Sequence, residues 1–428
     1  MAKKTEEKQP REYTKRQLSH AKKQQLRQKI YLFGGIAVIV VVIVLTLAGW
    51  IFGEYLPLHK TIVTVYDTKI SESDLIDTLY AYASSQQNFD MTQNMDYIVS
   101  AMVQNELVRK AAAELGITVT DQEVTDAMTS AKINKGYESI VRGSLLTDKL
   151  KKQYFAKQVP DSGNQVLMNA MLVESESVVP EIRARLLSGD NFSMLADEYA
   201  QNTVSKTSKG VFDWHPQSVL ESNLSTTIPT KWAFSENVTK GDISDALSDN
   251  VSSKLLGYWL IRLNEPLTTQ NETTSANVSA LLLSSKAEAL SVKARLEAGD
   301  NLTAIADKLS QYSPSQQGHG QLVETVSANV SAVFNDYVFK GGATIGKWSD
   351  PLQDTRYWTK GGAWIVQVVD KSNSHAYSAD DKSTLIDNAY SAWVTKLGQD
   401  ATDDIKYTMD APDRATALDR ATKKLNKQ

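Results

Sequence analysis

The pattern of apolar and polar positions divides the chain into four kinds of stretch. Tyr31 to Gly53 is 23 residues without a charge, rich in Val, Ile and Leu. At ~1.5 Å per residue such a helix is about 34 Å long, enough to cross a bilayer core of ~30 Å. Beyond it, Ile62–Val65 alternates as a short strand and is followed by helical periods. Ser71 with Asp74, and Thr120 with Glu123, have the spacing of capping boxes. A helix over about Tyr97–Leu115 puts Ile98, Ala101, Met102, Val108, Ala112 and Leu115 on one face, and Gly116 stands where a left-handed C-terminal cap is needed. Residues 60–160 therefore read as a helical module.

The third stretch contains a repeat. RLLSGDNFSMLADEYAQ (185–201) and RLEAGDNLTAIADKLSQ (295–311) share eight of 17 positions at an offset of 110. Each copy is preceded by an apolar strand, Ala170–Val173 or Ala280–Leu283, and followed by another, Gly257–Ile261 or Gly362–Val366. The period is too long for a solenoid, so each copy reads as an α+β unit of about 100 residues. Leu267–Ala276 is polar and suits a linker between them. In the fourth stretch, Leu385, Ala389, Trp393 and Leu397 form an i, i+4 stripe that a lone helix cannot bury, so it must dock elsewhere. The last 19 residues are polar and read as a weakly ordered tail.

Charge adds direction. Residues 1–30 carry a net +7, so the remainder must carry −11 to reach the overall −4. The basic tail is expected to stay cytoplasmic, placing residues 54–428 outside a membrane crossed once by residues 31–54. A cleaved signal peptide is the competing reading; its apolar run is shorter, 7–15 residues, and ends in a small-x-small site. Basic charge confined to one terminus does not suggest a nucleic-acid partner. The chain has no cysteine, which excludes disulfides, thiol nucleophiles and cysteine metal sites. The spacing of its five histidines suggests no metal, and there is no G-x-S-x-G nucleophile elbow. Eight N-x-S/T triplets follow the membrane segment (at 191, 223, 237, 250, 271, 277, 301 and 329) and read as compositional; Asn191 and Asn301 sit at helix starts, where Asn caps.

Three motifs carry a resemblance. They are Asn105–Leu107 with Leu115–Val124; Gly189-x-x-Phe192-x-x-Leu195-Ala196, echoed at Gly299; and the closing strand with its glycine start. Together they resemble the parvulin-type peptidyl-prolyl isomerase family in the arrangement of SurA- and PrsA-like extracytoplasmic foldases. The resemblance implies an α+β chain with a single N-terminal transmembrane helix. It implies a helical module formed by residues 60–160 and by a C-terminal helix at 378–409, and parvulin-like domains at 166–266 and 276–371, followed by the polar tail at 410–428. It also implies two facing histidines and an acid in each parvulin-like domain. Those positions fall here on Ala170 and Trp259, on Ala280 and Trp364, and near Val211 and Gln321, none of which supplies the group. His215 and His319 lie elsewhere and read as surface residues.

An apolar pocket is better retained. Phe334, Phe339, Trp364, Trp259 and Phe234 are the candidate peptide-binding residues, with core packing as the alternative reading of each. The expectation is a foldase that binds unfolded, newly exported polypeptides with little or no isomerase activity. It would need no cofactor, metal or catalytic residue of the family. Two alternatives stay open: a working isomerase using His215, His319 or Tyr258, and an assembly ectodomain with one fixed partner.

Overall fold

The computed structural model describes residues 38–86, 88–133, 137–325 and 330–426. The basic tail at 1–30, the first part of the apolar span and Asn329 lie outside the described residues. The described part of the span, Val38–Leu58, is one helix long and apolar enough to cross a membrane.

In chain order the strands are β1 (Thr61–Val65), β2 (Thr68–Ser71), β3 (Ser162–Val173), β4 (Val211–His215), β5 (Leu247–Lys254), β6 (Gly257–Leu263), β7 (Thr268–Gln270), β8 (Thr273–Leu283), β9 (Gln321–Thr325), β10 (Leu352–Asp354), β11 (Thr359–Ala376) and β12 (Ile405–Tyr407). The chain forms two compact units. One holds the described residues up to Ala156 together with those from Ala389; the other is Lys157–Asn388.

The first unit is mostly helical. Its helices Glu72–Ser85 and Asp121–Ala131 start at the two capping boxes, Ser71/Asp74 and Thr120/Glu123, each with both reciprocal bonds formed. The helix Met91–Glu114 ends before Gly116, whose φ of +73° only glycine adopts cheaply. Strand β1 pairs with β2 on one side and with β12, from the far end of the chain, on the other. The helix Ala379–Asp400 brings Trp393 and Tyr390 edge-on to Phe155, with ring centroids 5.6 and 5.9 Å apart, and Tyr390 shares a hydrogen bond with Thr147.

The tail is not disordered polar chain. Residues Ala411–Leu425 form a helix, opened by an Asp410/Asp413 capping box with Pro412 in its first turn. Ala417 and Ala421, one turn apart, are fully buried in the core that contains Leu75 and Leu79. The polar composition hid a narrow docking face made of alanine. Ala417→Gly is expected to destabilise this unit by about 1.5 kcal/mol, from helix propensity and one lost buried methyl; denaturant melts check it.

In the second unit the repeat is visible as two antiparallel sheets, each packed with helices on both faces. One has the order β4-β3-β11-β5; the other runs β10-β6-β8, with β7 and β9 both on β8. Asn191 and Asn301 cap the second helix of each copy, accepting from backbone N–H groups as expected. The expected linker at 267–276 instead holds β7, a turn and the start of β8, which pair as a hairpin. Its two central residues, Asn271 and Glu272, have φ of +48° and +64°, the geometry that suits a two-residue hairpin.

The sheets do not follow the expected boundaries 166–266 and 276–371. Strand β6, which closes the first repeat in sequence, pairs with β8 of the second. Strand β11, which closes the second, pairs with β3 of the first over eleven registered positions. Each repeat thus completes its sheet with the other's closing strand.

Candidate functional site

The candidate site is the face of each sheet that carries the positions where the resemblance places catalysis. In the first sheet this face carries Val166, Met168, Ala170 and Leu172 of β3 and Trp364, Val366 and Val368 of β11. In the second it carries Val278, Ala280 and Leu282 of β8 and Trp259, Ile261 and Leu263 of β6. The period of two along each strand puts Ala170 and Trp364 on one side, and Ala280 and Trp259 on the equivalent side of the other sheet. The strand exchange changes the partners: the residues brought together are Ala170 with Trp364 and Ala280 with Trp259.

Trp259, Trp364 and Phe334 have no exposed surface. In this structure all three pack in the core, the alternative reading of each. Nor do the five aromatic candidates form one groove. Trp364 packs in the first sheet's core, with Phe234 half-buried at its edge, whereas Trp259, Phe334 and the half-buried Phe339 belong to the second. The second face is filled by a ring cluster. Trp259 meets Tyr312, Phe334 and Tyr357 edge-on, with centroids 5.1, 5.1 and 5.6 Å apart. Burial pushes the Tyr357 hydroxyl up to about 12.

A buried indole needs an acceptor, and sequence reasoning missed what supplies it. Trp364 Nε1 donates to Asp249 Oδ2, and Trp259 Nε1 donates to Asp354 Oδ2, both at 2.8 Å. Each aspartate stands ten residues before the tryptophan that closes its own repeat in sequence, a D-x9-W spacing present twice. Asp249 also accepts from the Val251 and Ser252 N–H groups and the Ser252 hydroxyl, at 2.8, 2.8 and 2.7 Å. Burial works to raise its carboxyl, but these bonds outweigh it and hold it below the ordinary carboxylate range.

None of the described histidines stands at the positions held by Ala170, Trp364, Ala280 and Trp259, although His215 is registered opposite Val166 at the edge of the first face. His215, at the end of β4, bonds the buried Asp381 at 2.8 Å. His319 bonds Asp307 at 2.8 Å from a turn where its φ is +53°. His375 stacks on Trp214, and His59 on Tyr55. Val211 and Gln321, the acid positions, are exposed on the strands β4 and β9. No group of three or more His, Cys, Asp or Glu side chains among the described residues has the geometry to hold a metal.

Open space lies elsewhere. The first unit has a cleft of about 680 Å³ lined by Ile70, Tyr82, Met102, Ile140 and Leu146 together with charged side chains, including Lys424 of the C-terminal helix. Those charges are largely neutralised in place. Arg109 donates twice to Glu106, at 2.7 and 2.6 Å; Arg142 bonds Glu138 at 3.0 Å; Lys424 bonds Asp77 at 2.7 Å. Burial tends to raise the Glu106 carboxyl, yet the bonds from Arg109 and Thr68 bring it below its usual value. Such a cleft offers apolar contact beside charges that are mostly paired with one another. The sequence signal was there, since Met102 lies on the helix face that the periodicity marks as apolar.

Residues 23–153 match the family described as "SurA-like N-terminal domain". The foldase protein PrsA of Caldanaerobacter subterraneus is 27% identical over 138 residues, which are 29% of this chain and 45% of that protein. A parvulin-like PPIase of Rickettsia conorii is 23% identical over 167 residues, 36% of this chain and 59% of that protein. The chain thus spans about half the length of the curated relatives it matches. Among solved structures, the peptidylprolyl isomerase PrsA of Bacillus anthracis aligns over 77% of this chain and 97% of its own, at 12% identity and a TM-score of 0.27. The chain therefore carries a SurA-like N-terminal domain and has PrsA and parvulin-like PPIase homologues.

Proposed function

We propose that this chain, with its SurA-like domain and PrsA-like relatives, is a foldase anchored in the cell membrane. Its N-terminus is cytoplasmic and its bulk extracytoplasmic, and it holds unfolded exported polypeptides without turning their prolyl bonds. The observation that carries the reading is the state of these two sheet faces. A prolyl isomerase lowers a barrier of ~18–20 kcal/mol by binding the twisted amide better than the planar one. That needs polar groups around an open pocket. Here the positions hold buried alanine and tryptophan, and the indole N–H groups are committed to Asp249 and Asp354.

Client contact then falls to the cleft of the first unit. Its apolar lining and self-paired charges suit sequence-tolerant binding of extended chain. The long apolar helix supports the anchor, which would keep the protein where exported chains emerge. The test uses the full chain in detergent. It should suppress aggregation of a chemically denatured client, and Met102→Asp should weaken that effect several-fold. It should not accelerate isomerisation of an X-Pro tetrapeptide beyond the spontaneous rate. A rate typical of parvulins would overturn the reading.

A further inference from the structure

The exchanged strands obey a symmetry that local sequence alone does not require. Leu247, Ser248 and Asp249 of β5 pair with Trp364, Ala363 and Gly362 of β11. Leu352, Gln353 and Asp354 of β10 pair with Trp259, Tyr258 and Gly257 of β6. Each residue of the first set has its counterpart in the second at an offset of 105. On the other side of each closing strand, Leu172 faces Trp364 and Leu282 faces Trp259. The two Trp–Asp bonds have the same length.

Folding β6 back beside β5 would therefore set Trp259 against Leu247 and Gly257 against Asp249, leaving residues 250–256 as a seven-residue loop. Folding β11 beside β10 would do the same with residues 355–361. Neither move shifts a register, and each can re-form a Trp–Asp bond within its own repeat. We propose that Lys157–Asn388 has two closures of identical register. One is the exchanged form described above; in the other each repeat completes its own sheet, and the arms 250–256 and 355–361 decide between them.

Several contacts belong to the exchanged form alone. Lys254 and Ser253 pair with Thr359 and Lys360. Lys254 Nζ, fully buried, donates to the Gly361 carbonyl at 2.6 Å, and the Thr359 hydroxyl donates to the Leu256 carbonyl. At the crossing, a Cβ on Gly257 would stand 2.8 Å from Leu282 and 3.0 Å from Thr359, so only glycine lets the arms approach this closely. Glu174 joins the repeats from a third direction, accepting from the Tyr258 hydroxyl at 3.0 Å and the Lys286 N–H at 2.6 Å. The registers are shared but the ladders are not equal, since β11 meets β3 at eleven positions and β6 meets β8 at six; the outer β3–β11 pairs and the crossing arms together set the balance. The exchanged form makes both sheets one cooperative body; the self-closed form leaves them joined by chain alone.

The natural absence of cysteine makes the test direct, in the full-length protein. Asn169 pairs with Gln367 in the exchanged form, and their side chains touch at 3.0 Å. Asn169 would face Arg262 in the self-closed form, because Arg262 holds the equivalent place opposite Ser279. Under mild oxidation, N169C/Q367C should close within one chain. The pairs N169C/R262C and S279C/Q367C should each close in a smaller fraction. That fraction should rise several-fold after unfolding and refolding, and again in a Lys254→Ala background that weakens the crossing. If both self-closed pairs stay reduced in every preparation while N169C/Q367C closes, the second closure does not exist and the proposal fails. It fails equally if the self-closed pairs close and N169C/Q367C does not.

Discussion

Replacing Trp364 with alanine is expected to destabilise the second unit by about 3–5 kcal/mol, the range for removing a fully buried large aromatic. The ring has no exposed surface and packs in the cluster on one face of the first sheet. Its loss leaves a cavity lined by Ala170 and neighbours that are held in place by strand pairing, so the site collapses poorly. Asp249 also loses one of its four donors while remaining buried. Trp364→Phe separates the two effects. It keeps most of the volume and removes only the N–H, so it should cost about 1–2 kcal/mol. Because Trp364 comes from the second repeat and Asp249 from the first, both repeats should unfold together and at lower denaturant in Trp364→Ala. Urea unfolding followed by tryptophan fluorescence and far-UV circular dichroism measures this. A loss below 1 kcal/mol would mean that the ring is a ligand-contacting surface residue, contrary to its burial.

Lys254 should make stability depend on pH above neutrality. Burial brings its ammonium down to about 8 from 10.5, against the opposing pull of Glu174, Glu288 and Asp249. Below about pH 8 the amine is charged in both folded and unfolded chains, and the desolvation cost is fully present. Between about 8 and 10.5 the unfolded chain holds more protons than the folded one, so stability rises with pH. A shift of this size corresponds to something on the order of 3 kcal/mol across the window. The wild type should therefore gain stability, relative to Lys254→Met, as pH is raised from 7.5 to 10. Thermal melts of the two proteins at matched ionic strength give the difference directly. Parallel pH profiles would show that Lys254 is not buried as a charge at the crossing.

Much of the local structure could be read from residues because its causes are local. The capping boxes at Ser71/Asp74 and Thr120/Glu123, the caps at Asn191 and Asn301, and the positive φ at Gly116 each depend on a side chain within a few positions of the backbone group it satisfies. The terminal helix Ala411–Leu425 was missed even though its capping box lies in the sequence, because Ala417 and Ala421 look apolar only once a partner surface exists. The placement of the aromatic candidates was illegible for a related reason. A large ring on a strand has the same sequence signature whether its face is open or filled, and what fills this one comes from Tyr312 and Tyr357, far away along the chain.

What the sequence by itself determined is the inventory: a long uncharged helix, a helical module, and a strand–helix–strand pattern present twice. What only the tertiary structure decided is which copy completes which sheet. Trp259 and Trp364 follow Asp249 and Asp354 at one spacing, and both closing strands offer the same register. Register alone therefore does not choose the partner; the choice falls to the longer β3–β11 ladder and to contacts at the crossing, between Lys254, Leu256, Thr359 and Gly361. Those contacts join residues about a hundred positions apart, and no local pattern records them.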